Sequence, residues 1–442
     1  MLTSEEIRGV VGEGRVSRRL YTDPALFELE LQTIFRNAWI YVGHESQVTK
    51  RGDFFTSRIG HERVIVARHG DGKLYAFRNR CAHRGAEVCP EATGNTNAFV
   101  CPYHAWSYHT DGSLASMPMP KGYDDFQRRK AEFGLERIPR LASYKGFLFA
   151  SQKPEGVDLE AFLGAEVRSA FDNFVDRAPD GEVEMAGGKT VQQYRANWKL
   201  QIENSIDLLH PRILHWNAVD SAIKMGENGG ALAMEFDAVR VNGLSFGEWD
   251  ELTISALPRG HCWMGGFIPK PEQAVDDDAM MSQEMRKATL KTQYKEALVK
   301  RHGAAKAEEV LAYSRHNTIV YPNLFVNPLL QQIRTLQPVA VDRTEQHGYV
   351  FRLKGAPDEI FRVAIRLLNM ANSPASIVTT DDHEVFERIQ ESLASGERDW
   401  IDWSRGMGRE QPFESGHTGD GTSEILMRNQ HKAWAGYMSG AL

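Results

Sequence analysis

The sequence lacks the features that would place a protein in a membrane or route it through one. No run approaches the roughly 20 consecutive apolar residues that a membrane-spanning helix requires. The N-terminal segment, MLTSEEIRGVVGEGRVSRR, has neither the apolar run nor the small-residue cleavage site of a secretory signal. We therefore expect a cytoplasmic protein.

Basic residues are not in excess, and cysteines are few. The chain has 52 Lys and Arg against 59 Asp and Glu, a net charge of −7, so we expect no nucleic-acid or membrane partner. Its 4 cysteines in 442 residues are too few for a disulfide scaffold. Cys81, Cys89 and Cys101 nevertheless cluster, which favours a metal or redox site in a reducing compartment. Cys89 and Cys262 are expected to be small buried hydrophobes.

The local patterns divide the chain into three segments. Residues 1–38 contain a helix that starts at Asp23-Pro24, ends near Asn37 and is expected to pack on the C-terminal domain. Residues 39–153 show short β-type runs separated by turns such as Asp71-Gly72, which is typical of a small all-β domain. Residues 154–442 mix both types, and we expect helices packed on an antiparallel sheet. The fold class is therefore α+β.

Periodicity places candidate elements within the larger domain. An amphipathic helix is predicted to follow Pro154, carrying Leu159 to Phe174. The candidate strands lie near 183–196, 232–257, 316–340 and 346–353, and the further helices lie near 198–210, 278–302, 358–371 and 375–395.

The β domain holds two tight pairs of metal-ligating residues. They are Cys81-Ala-His83 and Cys101-Pro-Tyr-His104, with residues 84–100 between them. Two thiolates and two neutral imidazoles can hold a [2Fe–2S] cluster. A structural Cys2His2 zinc site uses the same residue types, but it usually pairs Cys with Cys and His with His in sequence. The mixed pairs favour the cluster and leave zinc as the alternative.

A second candidate site begins with Asp207, His210 and His215. Asp207 and His210 share a face if the segment is helical, whereas His215 does not. We expect Pro211 to break or kink the helix so that His215 returns to the same side. Two imidazoles and one carboxylate on one face of Fe(II) leave three positions open, as an enzyme that binds O2 beside a substrate needs.

The third ligand need not be local, and a late helix offers one. Asp382 lies on a stripe with Phe386, Ile389 and Leu393 that is otherwise apolar, where a carboxylate is costly unless it is paired, protonated or bound to a metal. Asp381 lies about 100° away around the helix and is expected to face solvent or the helix end.

These residues carry a resemblance to a known family. Cys81-Ala-His83-Arg84-Gly85 and Cys101-Pro-Tyr-His104-Ala-Trp106 resemble the ligand loops of a Rieske domain. Respiratory Rieske proteins carry two further cysteines that bridge the two ligand loops, whereas Cys89 has no counterpart in the loop residues that follow His104, which favours the oxygenase branch. The D-x-x-H-x-x-x-x-H segment from Asp207 to His215 is similar to the iron site of Rieske-type aromatic-ring-hydroxylating oxygenase α subunits, which are the large catalytic subunits. One departure is Leu209, which stands where many relatives have tyrosine.

The resemblance implies a role for each matching residue. Cys81, His83, Cys101 and His104 would hold the [2Fe–2S] cluster, residues 39–153 being the Rieske domain. His210, His215 and Asp382 would hold a mononuclear iron within residues 154–442. Asp207 would link His210 to a Rieske histidine across a subunit boundary, the matching residue here being His104. Glu203 and Asn204 are expected to lie in the surroundings of the iron.

The implied activity is hydroxylation of an aromatic hydrocarbon or aromatic acid with O2, most simply as cis-dihydroxylation. A monooxygenase or O-demethylase is the alternative, and a pure electron-transfer protein is a remote one. The chain has no G-x-G-x-x-G fingerprint, so NAD(P)H must bind a partner reductase, with or without a ferredoxin. Residues 419–434 resemble α subunits that assemble with a small β subunit, which implies α3β3. Ile206, Leu208 and Leu209 are expected to line the substrate pocket.

Overall fold

The computed structural model describes residues 4–227, 243–266, 288–396 and 398–442. The chain folds into two compact units. The inserted unit is continuous and comprises Phe35–Phe162. The flanking unit is made of two segments, Met1–Ile34 and Leu163–Leu442. None of the helices in these described ranges combines the length and apolar character needed to cross a bilayer.

The helices of the described residues range from single turns to helices of five turns. In chain order they are α1 (Ser4–Gly9), α2 (Arg19–Thr22), α3 (Pro24–Asn37), α4 (Phe126–Arg129), α5 (Leu159–Asp176), α6 (Trp198–Ser205), α7 (Pro211–Leu214), α8 (Trp216–Glu227), α9 (Phe246–Asp250), α10 (Ala288–His302), α11 (Ala304–Leu311), α12 (Asp358–Asn372), α13 (Thr379–Ser395) and α14 (Ile425–Met438). Short 3-10 turns lie at Glu45–Gln47, Pro120–Gly122, Lys130–Phe133 and Pro258–Gly260.

The strands pair antiparallel throughout the described residues. They are β1 (Val11–Gly12), β2 (Arg15–Ser17), β3 (Ile40–His44), β4 (Asp53–Ile59), β5 (Glu62–Arg68), β6 (Leu74–Arg78), β7 (Thr93–Asn95), β8 (Ala98–Val100), β9 (Ser107–His109), β10 (Leu114–Ser116), β11 (Arg140–Tyr144), β12 (Phe147–Ser151), β13 (Val183–Tyr194), β14 (Thr253–Ala256), β15 (Cys262–Gly265), β16 (Thr318–Val320), β17 (Leu324–Asn327), β18 (Gln332–Ala340), β19 (Arg343–Leu353), β20 (Trp400–Asp402), β21 (Gln411–Phe413) and β22 (Gly416–Asp420).

The inserted unit is built from three small sheets. Their strand orders are β6-β5-β4-β7, β10-β9-β8 and β11-β12-β3. Phe54, Phe77 and Phe99 form an aromatic centre, with ring centroids 5.2 Å apart for Phe54 and Phe99 and 5.7 Å apart for Phe77 and Phe99. This core also buries Cys81 and Cys101, so the hydrophobic packing fixes the two loops that follow β6 and β8.

The flanking unit is built on one large sheet covered by helices. Nine strands follow the order β13-β19-β18-β17-β16-β15-β14-β22-β21. The helix α12 packs on β19, and α14 packs on β14. The predicted α+β class, with helices on an antiparallel sheet beside a small all-β domain, is confirmed.

The first residues of the chain are integrated into the flanking unit. The strand β2 pairs with β20, so residues 15–17 lie beside residues 400–402. From α3, the buried Glu30 accepts hydrogen bonds from Lys199 Nζ at 2.5 Å, from Trp198 Nε1 at 2.8 Å and from Trp434 Nε1 at 2.7 Å. One carboxylate therefore ties α3 to both α6 and α14.

Several element limits differ from those predicted. The helix near 198–210 ends at Ser205, and the helix near 375–395 begins at Thr379. Within the strand predicted near 232–257, residues 246–250 are helical and 253–256 form β14, while 232–242 lie outside the described residues. The helix near 278–302 is α10 from residue 288, and 278–287 lie outside the described residues. The helix limits Pro24 and Asn37 are as predicted.

Candidate metal centres and cavity

Two loops of the inserted unit bring two thiols and two imidazoles together. Cys81 and His83 follow β6, and Cys101 and His104 join β8 to β9. The rings of His83 and His104 are 4.6 Å apart between centroids, and His83 stacks on Trp106 at 4.9 Å. Both cysteines are buried and free of disulfides. Burial raises the pKa of Cys81, and the adjacent Cys101 thiol adds to that rise.

The two loops share one backbone conformation. In each loop the cysteine amide donates to the carbonyl five residues later, at 2.8 Å in both cases. The amide four residues after the cysteine donates back to its carbonyl, from Gly85 to Cys81 at 2.9 Å and from Ala105 to Cys101 at 3.0 Å. Gly85 at φ 76° and Ala105 at φ 56° are both left-handed, which closes each turn. Two equivalent turns thus present the ligand pairs.

The side chains in these loops fit a [2Fe–2S] cluster with mixed ligation, which needs two thiolates and two neutral imidazoles. Nδ1 of His83 and Nδ1 of His104 are buried without a hydrogen-bond partner in the described part of the chain, as expected of nitrogens that ligate a metal. Partial burial and the neighbouring His104 lower the pKa of His83, which keeps its imidazole neutral. The Tyr108 hydroxyl lies 3.0 Å from Cys81 Sγ, close enough to tune a bound cluster.

A second group of metal-ligating side chains lies in the flanking unit. His210, His215 and Asp382 each offer one ligand atom, and these atoms lie within 4.8 Å of one another. Asp382 Oδ1 is 3.3 Å from His215 Nε2 and 3.7 Å from His210 Nε2. His215 and Asp382 are buried, and His210 is nearly so. The structure therefore brings the three predicted iron ligands together.

The local backbone reaches this arrangement differently from our expectation for Pro211. The helix α6 already ends at Ser205, and Asp207 Oδ1 accepts the Leu209 amide at 2.8 Å, a local bond that competes with helix continuation. Pro211 then begins α7 as its first residue, where its missing N–H costs nothing. The expectation that Pro211 breaks a helix running through His210 was wrong, because the helix ends earlier and Pro211 starts the next one.

The charges of Asp382 and His210 each favour the ionised form of the other side chain. Burial alone would raise the pKa of Asp382, but the hydrogen bond and charge of His215 and the charge of His210 outweigh it and lower that pKa. Burial lowers the pKa of His210, but the carboxylates of Asp207 and Asp382 outweigh it and raise that pKa. A cation at this position would replace the protons as the partner of the carboxylate.

Asp207 lies next to this group but outside it. Its Oδ2 is 3.5 Å from His210 Nδ1, and its Oδ1 is 3.9 Å from Arg405. Burial would raise the pKa of Asp207, yet its interactions with His210 and the Leu209 amide lower it. Asp207 is therefore a carboxylate placed behind the ring of one proposed ligand, on the side of Nδ1.

The two acids of α13 differ as expected in burial. Asp382 has 8% of its side chain exposed and Asp381 has 39%, although Asp381 Oδ2 still lies 3.6 Å from His215 Nδ1. The predicted stripe was wrong beyond Phe386, because Ile389 is exposed and Gln390 is buried in its place. Gln390 fills that position because its amide bonds the Asn197 backbone N–H and the Tyr21 carbonyl.

Asn204 and Glu203 have different surroundings. Asn204 Nδ2 lies 3.0 Å from Asp382 Oδ1 and 3.1 Å from His210 Nε2, so Asn204 adjoins the proposed iron site as expected. Glu203 instead accepts from the Tyr21 hydroxyl at 2.7 Å and pairs with His431 Nε2 at 2.9 Å. The expectation that Glu203 surrounds the iron was therefore wrong.

A cavity of about 150 Å³ opens beside His210, His215 and Asp382. Of the residues expected to line a pocket, Leu208 does so, whereas Ile206 is fully buried and neither it nor Leu209 lines the cavity. Sequence reasoning missed the polar residues from the distant sheet and α12. These are His316, Asn317, Asn327, Gln332, Arg334 and Asn372. No local pattern marks them, because strand pairing and the packing of α12 on the sheet bring them to the cavity.

Known protein families match both units of this chain. Residues 38–141 match a Rieske [2Fe-2S] domain, and residues 179–440 match the catalytic domain of the ring hydroxylating alpha subunit.

Known proteins resemble the chain over almost its whole length. The anthranilate 1,2-dioxygenase large subunit of Acinetobacter baylyi (strain ATCC 33305 / BD413 / ADP1) is 34% identical over 96% of this chain and 89% of that protein. The toluate 1,2-dioxygenase subunit alpha of Pseudomonas putida is 32% identical over 97% of this chain and 92% of that protein. A naphthalene 1,2-dioxygenase structure with indole bound in the active site has a TM-score of 0.79 at 24% identity, covers 97% of this chain and 94% of that chain, and shows the same fold.

Proposed function

This chain belongs to the family of Rieske ring-hydroxylating oxygenase α subunits, and on that premise we propose that it is the terminal oxygenase that cis-dihydroxylates an aromatic compound with O2. The observation that carries the proposal is the group of two imidazoles and one carboxylate beside a cavity. Such a group occupies one face of an iron ion and leaves the other face for O2 beside a substrate.

The cofactors of the family are a Rieske [2Fe–2S] cluster and a mononuclear iron. When bound, the cluster supplies stored electrons and the iron supplies the site of O2 activation. We propose Cys81, His83, Cys101 and His104 as cluster ligands within residues 39–153. The buried Nδ1 atoms of the two histidines, which have no hydrogen-bond partner among the described residues, and the buried cysteines without disulfides support the assignment.

We propose His210, His215 and Asp382 as the iron ligands within residues 154–442, with residues 1–38 as a helical segment packed on that domain. The surrounding residues orient these ligands: Asn204 lies within hydrogen-bond distance of Asp382 and His210, and α13 holds Asp382 in its first turn. Asp382 is preferred to Asp381 because it is the more buried and lies closer to both imidazoles.

Asp207 is proposed as the electron-transfer bridge between subunits. It interacts with His210 at 3.5 Å and keeps 24% of its side chain exposed. That exposed edge would meet His104 of the partner subunit, so that the cluster of one subunit serves the iron of its neighbour.

Mixed oligomers test this arrangement. A Cys101→Ala oligomer lacks the cluster and a His210→Ala oligomer lacks the iron, so neither alone should turn over. Co-expressed mixed oligomers should regain activity, because an intact iron site can then lie beside an intact cluster on the neighbouring chain. Inactive mixed oligomers with correct metal contents would show that electrons pass within one chain and would refute the bridge.

The proposal also names partners. Electrons from NAD(P)H would arrive through a separate reductase, with or without a ferredoxin. We propose an α3β3 assembly with a small β subunit, and a cytoplasmic location, which suits thiolate ligands in a reducing compartment. The substrate is an aromatic hydrocarbon or an aromatic acid. Two relatives of the chain are named for anthranilate and toluate, which are both aromatic acids, and this supports an aromatic acid as the substrate.

Isotope labelling tests the reaction. The purified oxygenase with NADH and a reductase should convert an aromatic substrate under ¹⁸O2 to a cis-dihydrodiol that carries two labelled oxygens. A His210→Ala variant, which keeps the cluster, is the matched control and should form no product. A product with one labelled oxygen, or loss of an O-methyl group as formaldehyde, would show that the chain is a monooxygenase or O-demethylase.

A further inference from the structure

Among the described residues that line the cavity beside the proposed iron ligands, one has a guanidinium group, Arg334 on β18. Side chains on a strand alternate between faces, so Gln332 and Arg334 point the same way. On the adjacent β17, Phe325 and Asn327 line the cavity too, and Phe325 pairs directly with Arg334 in the ladder. The geometry of the sheet thus fixes a cation in the wall of the cavity.

Arg334 has few partners for its charge. One Nη1–H donates to Asn372 Oδ1 at 3.0 Å, and the guanidinium lies over the Phe325 ring at 4.9 Å. A guanidinium has five N–H donors, so most of them remain available toward the cavity. Among the described residues no carboxylate forms a hydrogen bond with it. Burial lowers the pKa of Arg334 to about 10, so the group stays charged at neutral pH.

Other enclosed cations of the flanking unit are satisfied within the protein. Lys199 pairs with Glu30 at 2.5 Å, and Arg315 pairs with Glu166 at 2.5 Å. Arg177 is buried without a carboxylate, but it bonds Asn173 Oδ1 and the Val310 carbonyl and does not line the cavity beside the iron ligands. Arg334 differs because its free donors adjoin a space that a ligand can enter.

The charge of Asp382 acts on Arg334 through space, without a hydrogen bond. In the proposed function Asp382 is an iron ligand, so its charge is already matched by the metal. Burying a cation that has no counter-charge of its own costs free energy of folding, and a bound anion offsets that cost. A carboxylate suits a guanidinium best, because two parallel N–H···O bonds can form.

The rest of the cavity suits one aromatic ring. Leu208, Met264, Leu330, Leu367 and Val378 supply apolar walls. A cavity of about 150 Å³ is the size that holds a single benzene ring in an apolar protein core. The Arg334 guanidinium and these apolar walls line one cavity beside the proposed iron ligands, which matches a small molecule that has an acid at one end and a ring at the other.

We propose that Arg334 binds the carboxylate of a monocyclic aromatic acid and thereby holds its ring beside His210, His215 and Asp382. The inference rests on the proposed function, whose substrate class it narrows. His316 also lines the cavity, and burial and the charge of Arg334 lower its pKa to about 3, so it adds no second charge. Among the described lining residues, the guanidinium fixed by the register of β17 and β18 is therefore the group that selects acids over neutral rings.

Binding of benzoate and of its neutral isostere benzamide to the holoenzyme, measured by calorimetry without reductant, tests the proposal. The wild-type protein should bind benzoate at least about 10-fold more tightly than benzamide, as expected for a charged hydrogen bond. Arg334→Met should weaken benzoate binding by about 10- to 100-fold while changing benzamide binding by less than about 3-fold. Arg334→Lys should weaken benzoate binding less than Arg334→Met does, because it keeps the charge and loses the planar fork.

Arg352→Met is the matched control. Arg352 also stacks on a phenylalanine, Phe361 at 4.6 Å, but it is half-exposed and pairs with Asp358 outside the cavity. This variant should bind both probes like the wild-type protein. If Arg334→Met weakens both probes equally, or if the wild-type protein does not discriminate between them, the proposal is overturned. If Arg334→Met fails to fold, the ratio of benzoate to benzamide affinity in the wild-type protein and the benzoate affinity of Arg334→Lys still test the proposal.

Turnover separates this inference from the proposed function. A cis-dihydrodiol formed as efficiently from toluene as from benzoate would support the oxygenase function and overturn the role of Arg334. Selective benzoate binding that depends on Arg334, with no oxygenated product from any aromatic probe in the presence of a competent reductase, would retain the carboxylate site and overturn the proposed function.

Discussion

Glu30→Met should be among the most destabilising single substitutions in the flanking unit. The Glu30 carboxylate is fully buried and accepts from Lys199, Trp198 and Trp434. Removing it leaves a buried ammonium group unpaired, at about 3–5 kcal/mol. It also leaves two indole N–H groups without acceptors, at about 1 kcal/mol each. The expected loss is about 5–7 kcal/mol, or about 10–14 °C in Tm at roughly 2 °C per kcal/mol.

Thermal unfolding of the holoenzyme at a fixed scan rate measures this loss, with near-UV circular dichroism as the probe. Glu28→Met is the matched control, since Glu28 lies on the exposed face of the same helix and should change stability by no more than about 0.5 kcal/mol. Adding Lys199→Met to Glu30→Met should restore part of the Tm, because the unpaired charge is then gone. A Tm shift below about 4 °C, or a double variant less stable than Glu30→Met, would refute the reasoning.

The remaining predictions concern the metal sites. The purified protein should be red-brown, with acid-labile sulfide and about three iron atoms per chain; zinc without visible absorption would contradict the cluster assignment. Asp382→Ala should remove the mononuclear iron and leave the cluster spectrum, whereas Asp381→Ala should lose less of that iron. If Asp381→Ala loses the iron and Asp382→Ala does not, the choice of Asp382 as the ligand is wrong. Asp207→Asn should slow oxidation of the reduced cluster in a single turnover, with substrate and O2 present, without loss of either metal. An unchanged rate would contradict the bridge.

The sequence was informative where chemistry is local. The Cys/His pairs are short and highly constrained, so their spacing identified all four residues that the two equivalent turns bring together. Helical periodicity was enough to separate Asp382 from Asp381, because a single step of about 100° decides which carboxylate is buried. Periodicity wrongly predicted that Ile389 is buried. A pattern of apolar residues does not predict a buried glutamine such as Gln390, whose amide forms hydrogen bonds inside the protein.

The end of α6 and the cavity were beyond such patterns. The helix ends where the Asp207 carboxylate captures a nearby amide, a competition that periodicity does not register. Arg334 reaches the cavity through strand pairing far along the chain from His210. The register of a nine-stranded sheet is a global property, so the residues that select the substrate could not be assembled from local sequence.

The insertion of one unit into the other has a consequence for biosynthesis. The β2–β20 pairing and the Glu30 bond to Trp434 require the last part of the chain, so the flanking unit cannot complete its fold until translation is nearly over. The inserted unit is continuous, and all of its sheets pair within residues 35–162. Its two equivalent turns, with Cys81 and Cys101, can therefore form while the ribosome is still making the segment that contains His210, His215 and Asp382.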